Sequence, residues 1–206
     1  MKIKDFFRSI TFRCIVVLAA IALLSGAILS LLNDILYVSD EEILQRTLNK
    51  IYVDEEVGAE TVSLDAFDVE NDYGTVKNVY AMDNGQYLVE ATGKNGYKGG
   101  TVTAYTAFLA EDGALTGIYK VVITGNVSQS FISEMDAEYL AGYTTADASE
   151  IVSGGTEYFP TTPGRTDYVV TGATKVSDAT NNAVNAAMYF LRTELLTAGG
   201  NTEQEA

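Results

Sequence analysis

From Cys14 to Leu32 the chain runs nineteen residues without a charge. That approaches the ~20 residues needed to cross hydrocarbon as a helix, and in hydrocarbon only a helix or a closed barrel bonds all of its own backbone groups. The run therefore predicts a transmembrane anchor over residues 14–33. Lys2, Lys4, Arg8 and Arg13 precede it, against a single acid, Asp5. The positive-inside rule then places residues 1–13 in the cytoplasm and the rest of the chain outside a plasma or inner membrane. Ser25-Gly26-Ala27 has the small-x-small form of a signal-peptide cleavage site. The apolar run continues past it through Ile28, Leu29, Leu31 and Leu32, too long for a usual signal, so a retained anchor is expected, with a cleaved signal as the alternative. Ala22, Gly26 and Ser30 recur four apart, either as a face for a partner helix or as ordinary lipid-facing content.

Composition then removes several chemistries. The chain of 206 residues has a net charge of −15, which argues against nucleic acid because little is available to neutralise phosphates. It contains no His, and its one Cys, Cys14, sits at the edge of the apolar run. His-based triads, intrachain disulfides and thiolate clusters are excluded, so electron handling requires an organic cofactor. Of 28 acids and 13 bases, one acid and four bases precede the anchor, leaving 27 and 9 beyond it. That balance suits a soluble domain held off an anionic membrane surface.

Residues 34–74 read as a spacer helix and an acidic segment. Ser39 with Glu42 forms a capping box, and Ile43, Leu44, Leu48 and Ile51 recur at helical spacing, which predicts a helix from Asp40 to Ile51. Asp65, Asp68, Glu70 and Asp72 read as a solvated loop with no calcium-loop spacing. Four strands follow, Val76–Met82, Gln86–Thr92, Thr101–Leu109 and Leu115–Ile123. Their short connections, Asp83–Gly85, Gly93–Gly100 and Glu111–Gly113, mark an antiparallel meander. The alternation within Thr101–Phe108 predicts one half-polar face. A helix is expected from Ser128 or Ser130 to about Gly142, then a polar loop over 143–166. A last helix should run from Val176 to about Leu196, with Val176, Ala179, Ala183, Val184, Ala187, Leu191 and Leu195 as its apolar stripe. Asn181, Asn182 and Asn185 would occupy its other faces. Residues 199–206 are expected to be a disordered tail. The fold class is α+β: an N-terminal transmembrane helix followed by one extracytoplasmic domain, 75–198, with a mainly antiparallel sheet flanked by helices.

The most informative stretch is Asp167-Tyr-Val-Val-Thr-Gly-Ala-Thr-Lys-Val-Ser177. A short apolar run breaks at Gly172 and gives way to the last helix. Thr174 offers a hydroxyl at the first turn, where unpaired N–H groups and the helix dipole favour an anion. On spacing alone this is either an anion site or an ordinary Thr-rich N-cap.

Asp-x-x-x-Thr-Gly-Ala-Thr resembles the flavinylation signature of the FMN-binding domain family, which includes the G subunit of Rnf and the C subunit of Nqr. The resemblance implies FMN linked through its phosphate to the Thr174 hydroxyl by a separate flavin transferase, with Asp167, Thr171, Gly172 and Ala173 completing the motif. Lys175 reads as a phosphate counter-charge or a plain exposed lysine, and Ser177 as a helix cap or a phosphate ligand. Gly93–Gly99, with its Gly96-Tyr97-Lys98-Gly99 turn, is similar to the family turn that opens the central sheet. Many members carry a Glu-Thr-Pro-Gly-Leu-Gly loop against the flavin ring, whereas this chain has Thr124–Ser130. By position, Gly125, Asn126 and Ser128 take its place. The implied function is a membrane-anchored electron-transfer subunit of an Rnf-type ion-translocating ferredoxin:NAD oxidoreductase, in contact with its other membrane subunits. The alternatives are a stand-alone extracellular FMN carrier, FMN held non-covalently in the same pocket, and a non-redox surface-anchored binding module.

Overall fold

The computed structural model describes residues 10–36, 38–53, 55–145, 170 and 172–196. The chain divides into two compact units, Met1–Leu44 and Gln45–Ala206. Asp167, Thr171, most of the 143–166 loop and the tail at 199–206 lie outside the described residues.

In the first unit, helix α1 covers Ile10–Leu36. Its span Phe12–Asn33 is long and apolar enough to cross a membrane, and none of it is buried within the protein. The expected anchor at 14–33 falls inside this span. Helix α2, Asp40–Ile51, whose residues from Gln45 onward belong to the second unit, begins as the capping box predicts, with the Glu42 N–H donating to Ser39 Oγ at 3.2 Å.

The second unit is built on a five-stranded antiparallel sheet of order β1-β2-β3-β4-β5. The strands are β1 Ala59–Thr61, β2 Gly74–Met82, β3 Tyr87–Gly93, β4 Thr101–Glu111 and β5 Ala114–Val127. The four predicted strands are present, each extended at one or both ends apart from a one-residue shift of β3. The β4–β5 hairpin closes through Asp112 and Gly113, at φ 50° and 75°. Both central residues are left-handed, the geometry that makes Asp-Gly a two-residue hairpin turn.

A 3₁₀ turn at Ile132–Glu134 and a short helix α3, Ala137–Gly142, replace the single helix expected after β5. The Asp136 carboxylate accepts the Tyr139 N–H at 2.9 Å. It caps α3 and ends the preceding turn, as an Asp side chain competing for backbone donors does.

Helix α4, Thr174–Phe190, lies across β2, β3 and β4, and its last turn widens to π geometry over Leu191–Leu195. Gly93 permits the close approach: a Cβ there would fall on Ala179 O and Ala183 N. Val79, Val89, Ala104, Phe108, Val184 and Phe190 are central to the core, the Val and Phe side chains each contributing about 1.5–3 kcal/mol on burial.

α4 is not amphipathic in its setting, since every residue from Val176 to Met188 is buried. The asparagines expected on other faces are internal and bonded. Asn181 Oδ1 accepts from the Tyr139 and Tyr143 hydroxyls, and Asn182 Nδ2 donates to Lys94 O at 2.7 Å. The acidic segment helps to enclose the core. Its acids point to solvent, while Val62, Leu64, Phe67 and Val69 between them pack inward.

The opposite sheet face meets the end of α2. Tyr52 stacks on Tyr119 with centroids 5.5 Å apart, and its hydroxyl donates to Gln86 Oε1 at 2.7 Å. Burial of Tyr105 on this face correspondingly departs from the half-polar face expected of β4.

Candidate functional site

The Val170–Ala173 turn delivers the chain to α4. Its closing bond runs from the Ala173 N–H to Val170 O at 3.0 Å, and Gly172 sits at φ 87°. Glycine adopts that conformation without the cost a Cβ would add. Ser177, fully buried, braces the turn from inside the helix: its Oγ accepts the Val170 N–H at 3.0 Å and donates to Ala173 O at 3.3 Å. Of the two roles expected for Ser177, this is the structural one.

α4 starts at Ala173, which supplies no capping side chain. The Val176 and Ser177 N–H groups both reach Ala173 O at 3.0 Å, while among the described residues those of Thr174 and Lys175 have no backbone partner. The half-buried Thr174 hydroxyl has no hydrogen-bond partner among them either. These donors and the positive end of the helix dipole form the local environment of Thr174 Oγ1.

Thr174 opens on a cavity of about 430 Å³, lined by Gly172 to Val176 together with Tyr97, Ser130 and Phe131. The distant residues are brought here by Gln129, which is 5% exposed. Its Oε1 accepts the Tyr97 N–H at 3.2 Å and its Nε2 donates to Val127 O at 2.9 Å. A Cβ on Gly96 or Gly100 would strike this amide, so both glycines are needed for the loop to close over it.

Beside this cavity lies a second of about 600 Å³, lined by the Asn95–Gly99 loop, Lys175 and Asp178. Lys175 Nζ donates to Asp178 Oδ2 at 3.1 Å. The lysine side chain is 61% exposed and the aspartate 4%. Among the described residues Asp178 Oδ1 has no partner. Lys175 is therefore both exposed and committed to a carboxylate.

Among the expected site residues, Gly172, Ala173, Thr174, Lys175 and Ser177 come together around the helix start. Asp167 and Thr171 are outside the described residues. Gly125, Asn126 and Ser128 belong to the end of β5 and the residue after it, and none of them lines the Thr174 cavity. The next residues along, Ser130 and Phe131, do.

FMN fits what is present. Among the described residues, a hydroxyl and two helix N–H groups without a partner, able to meet a phosphate, occur at one place with a cavity of small-molecule size. Among the described residues no cluster of His, Cys, Asp and Glu is arranged for a metal ion. No protein-family model matches the chain, and no curated protein matches it.

Proposed function

We propose that this protein is a membrane-anchored electron carrier holding FMN through a phosphoester to Thr174 Oγ1, as a subunit of an Rnf-type ion-translocating complex. The observation that carries the reading is the coincidence, at Thr174, of a hydroxyl and helix N–H groups that have no partner among the described residues and of an adjoining cavity. When bound, FMN supplies reversible uptake and release of electrons, which no side chain here provides.

The chain's own residues bind and orient. The Thr174 and Lys175 N–H groups face the phosphate position, where an anion at a helix N-terminus gains about 0.3–1 kcal/mol from the dipole. Ser177 fixes the helix start against Val170, so the acceptor oxygen is held by the core instead of swinging on a loop. Half-burial leaves Thr174 within reach of a flavin transferase. Helix α1 supports attachment to a membrane. Under the positive-inside reading, Lys2, Lys4, Arg8 and Arg13 keep the N-terminus cytoplasmic and the sheet domain outside. A covalent link suits that side of the membrane, where a lost cofactor is not recovered.

The test is intact and peptide mass spectrometry of the full chain co-produced with a flavin transferase. The peptide containing Thr174 should gain the mass of FMN less water. Thr174→Ser should retain the adduct, and Thr174→Val, of similar shape without a hydroxyl, should lose it while unfolding at an unchanged temperature. An unmodified Thr174 peptide under these conditions overturns the reading.

A further inference from the structure

Two aromatic side chains stand open at the Thr174 cavity. Tyr97 is 49% exposed and Phe131 56%, whereas other rings of the domain are paired, Phe67 with Phe190 and Tyr139 with Tyr143. Among the described residues neither Tyr97 nor Phe131 meets another ring. Lys98 Nζ lies 5.3 Å from the Tyr97 centroid and covers one face of that ring. The surrounding backbone is fixed. Buried Gln129 holds the Tyr97 N–H, and Phe131 O accepts the Glu134 N–H at 3.1 Å. Leaving a Phe in water forgoes about 1.5–3 kcal/mol of burial. Ordered aromatics exposed together around an apolar concavity mark a binding surface.

We propose that Tyr97 and Phe131 are the docking platform for the tricyclic isoalloxazine ring of the FMN, an inference that rests on the assignment of Thr174 as its attachment point. The same cavity includes Thr174, so a ribityl chain joined through the phosphate to its oxygen leads into the space these rings line. Ala173 and Val176 supply apolar floor, and both are buried. A planar ring on this platform leaves water for aromatic contact, and its tether makes docking an intramolecular event that needs no high intrinsic affinity. Phe131, three residues past Ser128, thus takes up the place given on sequence to Gly125, Asn126 and Ser128.

The experiment uses the full chain in detergent micelles with the adduct on Thr174 first confirmed by mass. A docked ring should show quenched flavin fluorescence, because a phenol in contact lends the excited ring an electron that then returns. It should also show induced circular dichroism in the visible. Phe131→Ala should weaken docking roughly tenfold, the scale of aromatic–base stacking, raising fluorescence and removing the induced dichroism. Tyr97→Phe should raise fluorescence and keep the dichroism, since the platform remains and only the electron donor is gone. If mass-verified adducts of both variants match the parent in fluorescence and dichroism, the platform is overturned and the Thr174 attachment stands. If no adduct forms on the parent chain, the attachment fails and the platform with it.

Discussion

The hydroxyl of Ser177 accepts the Val170 N–H at 3.0 Å, so a buried side chain one turn inside α4 holds the strand of chain that precedes Thr174. Ser177→Ala leaves that N–H without its acceptor. The expected cost is about 1–3 kcal/mol, read as a lower urea midpoint at unchanged slope. Adduct formation at Thr174 should slow in parallel, because the acceptor oxygen loses its fixed position.

Gly93 meets α4 backbone to backbone, and neither Ala179 O nor Ala183 N can rotate away from a new methyl group. Gly93→Ala should therefore destabilise the domain by about 3 kcal/mol, the upper end for overpacking. Gly85→Ala is the control: its surroundings are open and its φ is +80°, so it tests backbone strain without the helix contact. Thermal unfolding of the two variants separates the effects.

Lys175 and Asp178 form an ion pair with unequal halves, one exposed and one buried. Lys175→Ala strands the aspartate and should cost about 1 kcal/mol, discounted from a fully buried pair because solvent reaches the lysine. Asp178→Asn in the same background should recover most of it. A double-mutant cycle measured by denaturant unfolding gives the coupling directly.

Tyr52 is held neutral by the fold. Burial, ahead of the Tyr119 and Glu55 charges, pushes its hydroxyl from the ordinary 10.0 up to about 12 despite an opposing hydrogen bond from Asn84. Tyr105 is raised further, again by burial first and then by the Glu90 carboxylate. A raised pKa means the folded state keeps protons that the unfolded chain gives up. This stabilisation is fully present below pH 10 and falls as pH rises from 10 toward 12 and beyond. Tyr52→Phe should flatten part of that fall, measured as urea midpoints across alkaline pH.

Local patterns made much of the architecture legible. Asp112-Gly113 could close only a narrow set of turns, and the Ser39/Glu42 box marked the start of α2. The apolar run at 14–32 matched a helix because no charge interrupts it. What escaped was everything set by contacts distant in sequence. Asn181 looks solvent-facing beside the apolar stripe, yet Tyr139 and Tyr143 reach it from another element. Gln129 carries no local signal, although the glycines at 96 and 100, spaced to clear its amide, were the trace it left. Phe131 read as one more apolar position of a helix, and only the fold leaves it open beside Thr174.

The amino-acid order alone determined an apolar helix, an antiparallel meander and a Thr-Gly-Ala-Thr break ahead of the final helix, because each depends on residues within a few positions of one another. Tertiary structure decided that Val176 to Met188 of this helix are buried on every face and that Tyr97 and Phe131 share a cavity with Thr174. Those outcomes depend on how distant segments exclude water together, which no short window of sequence encodes.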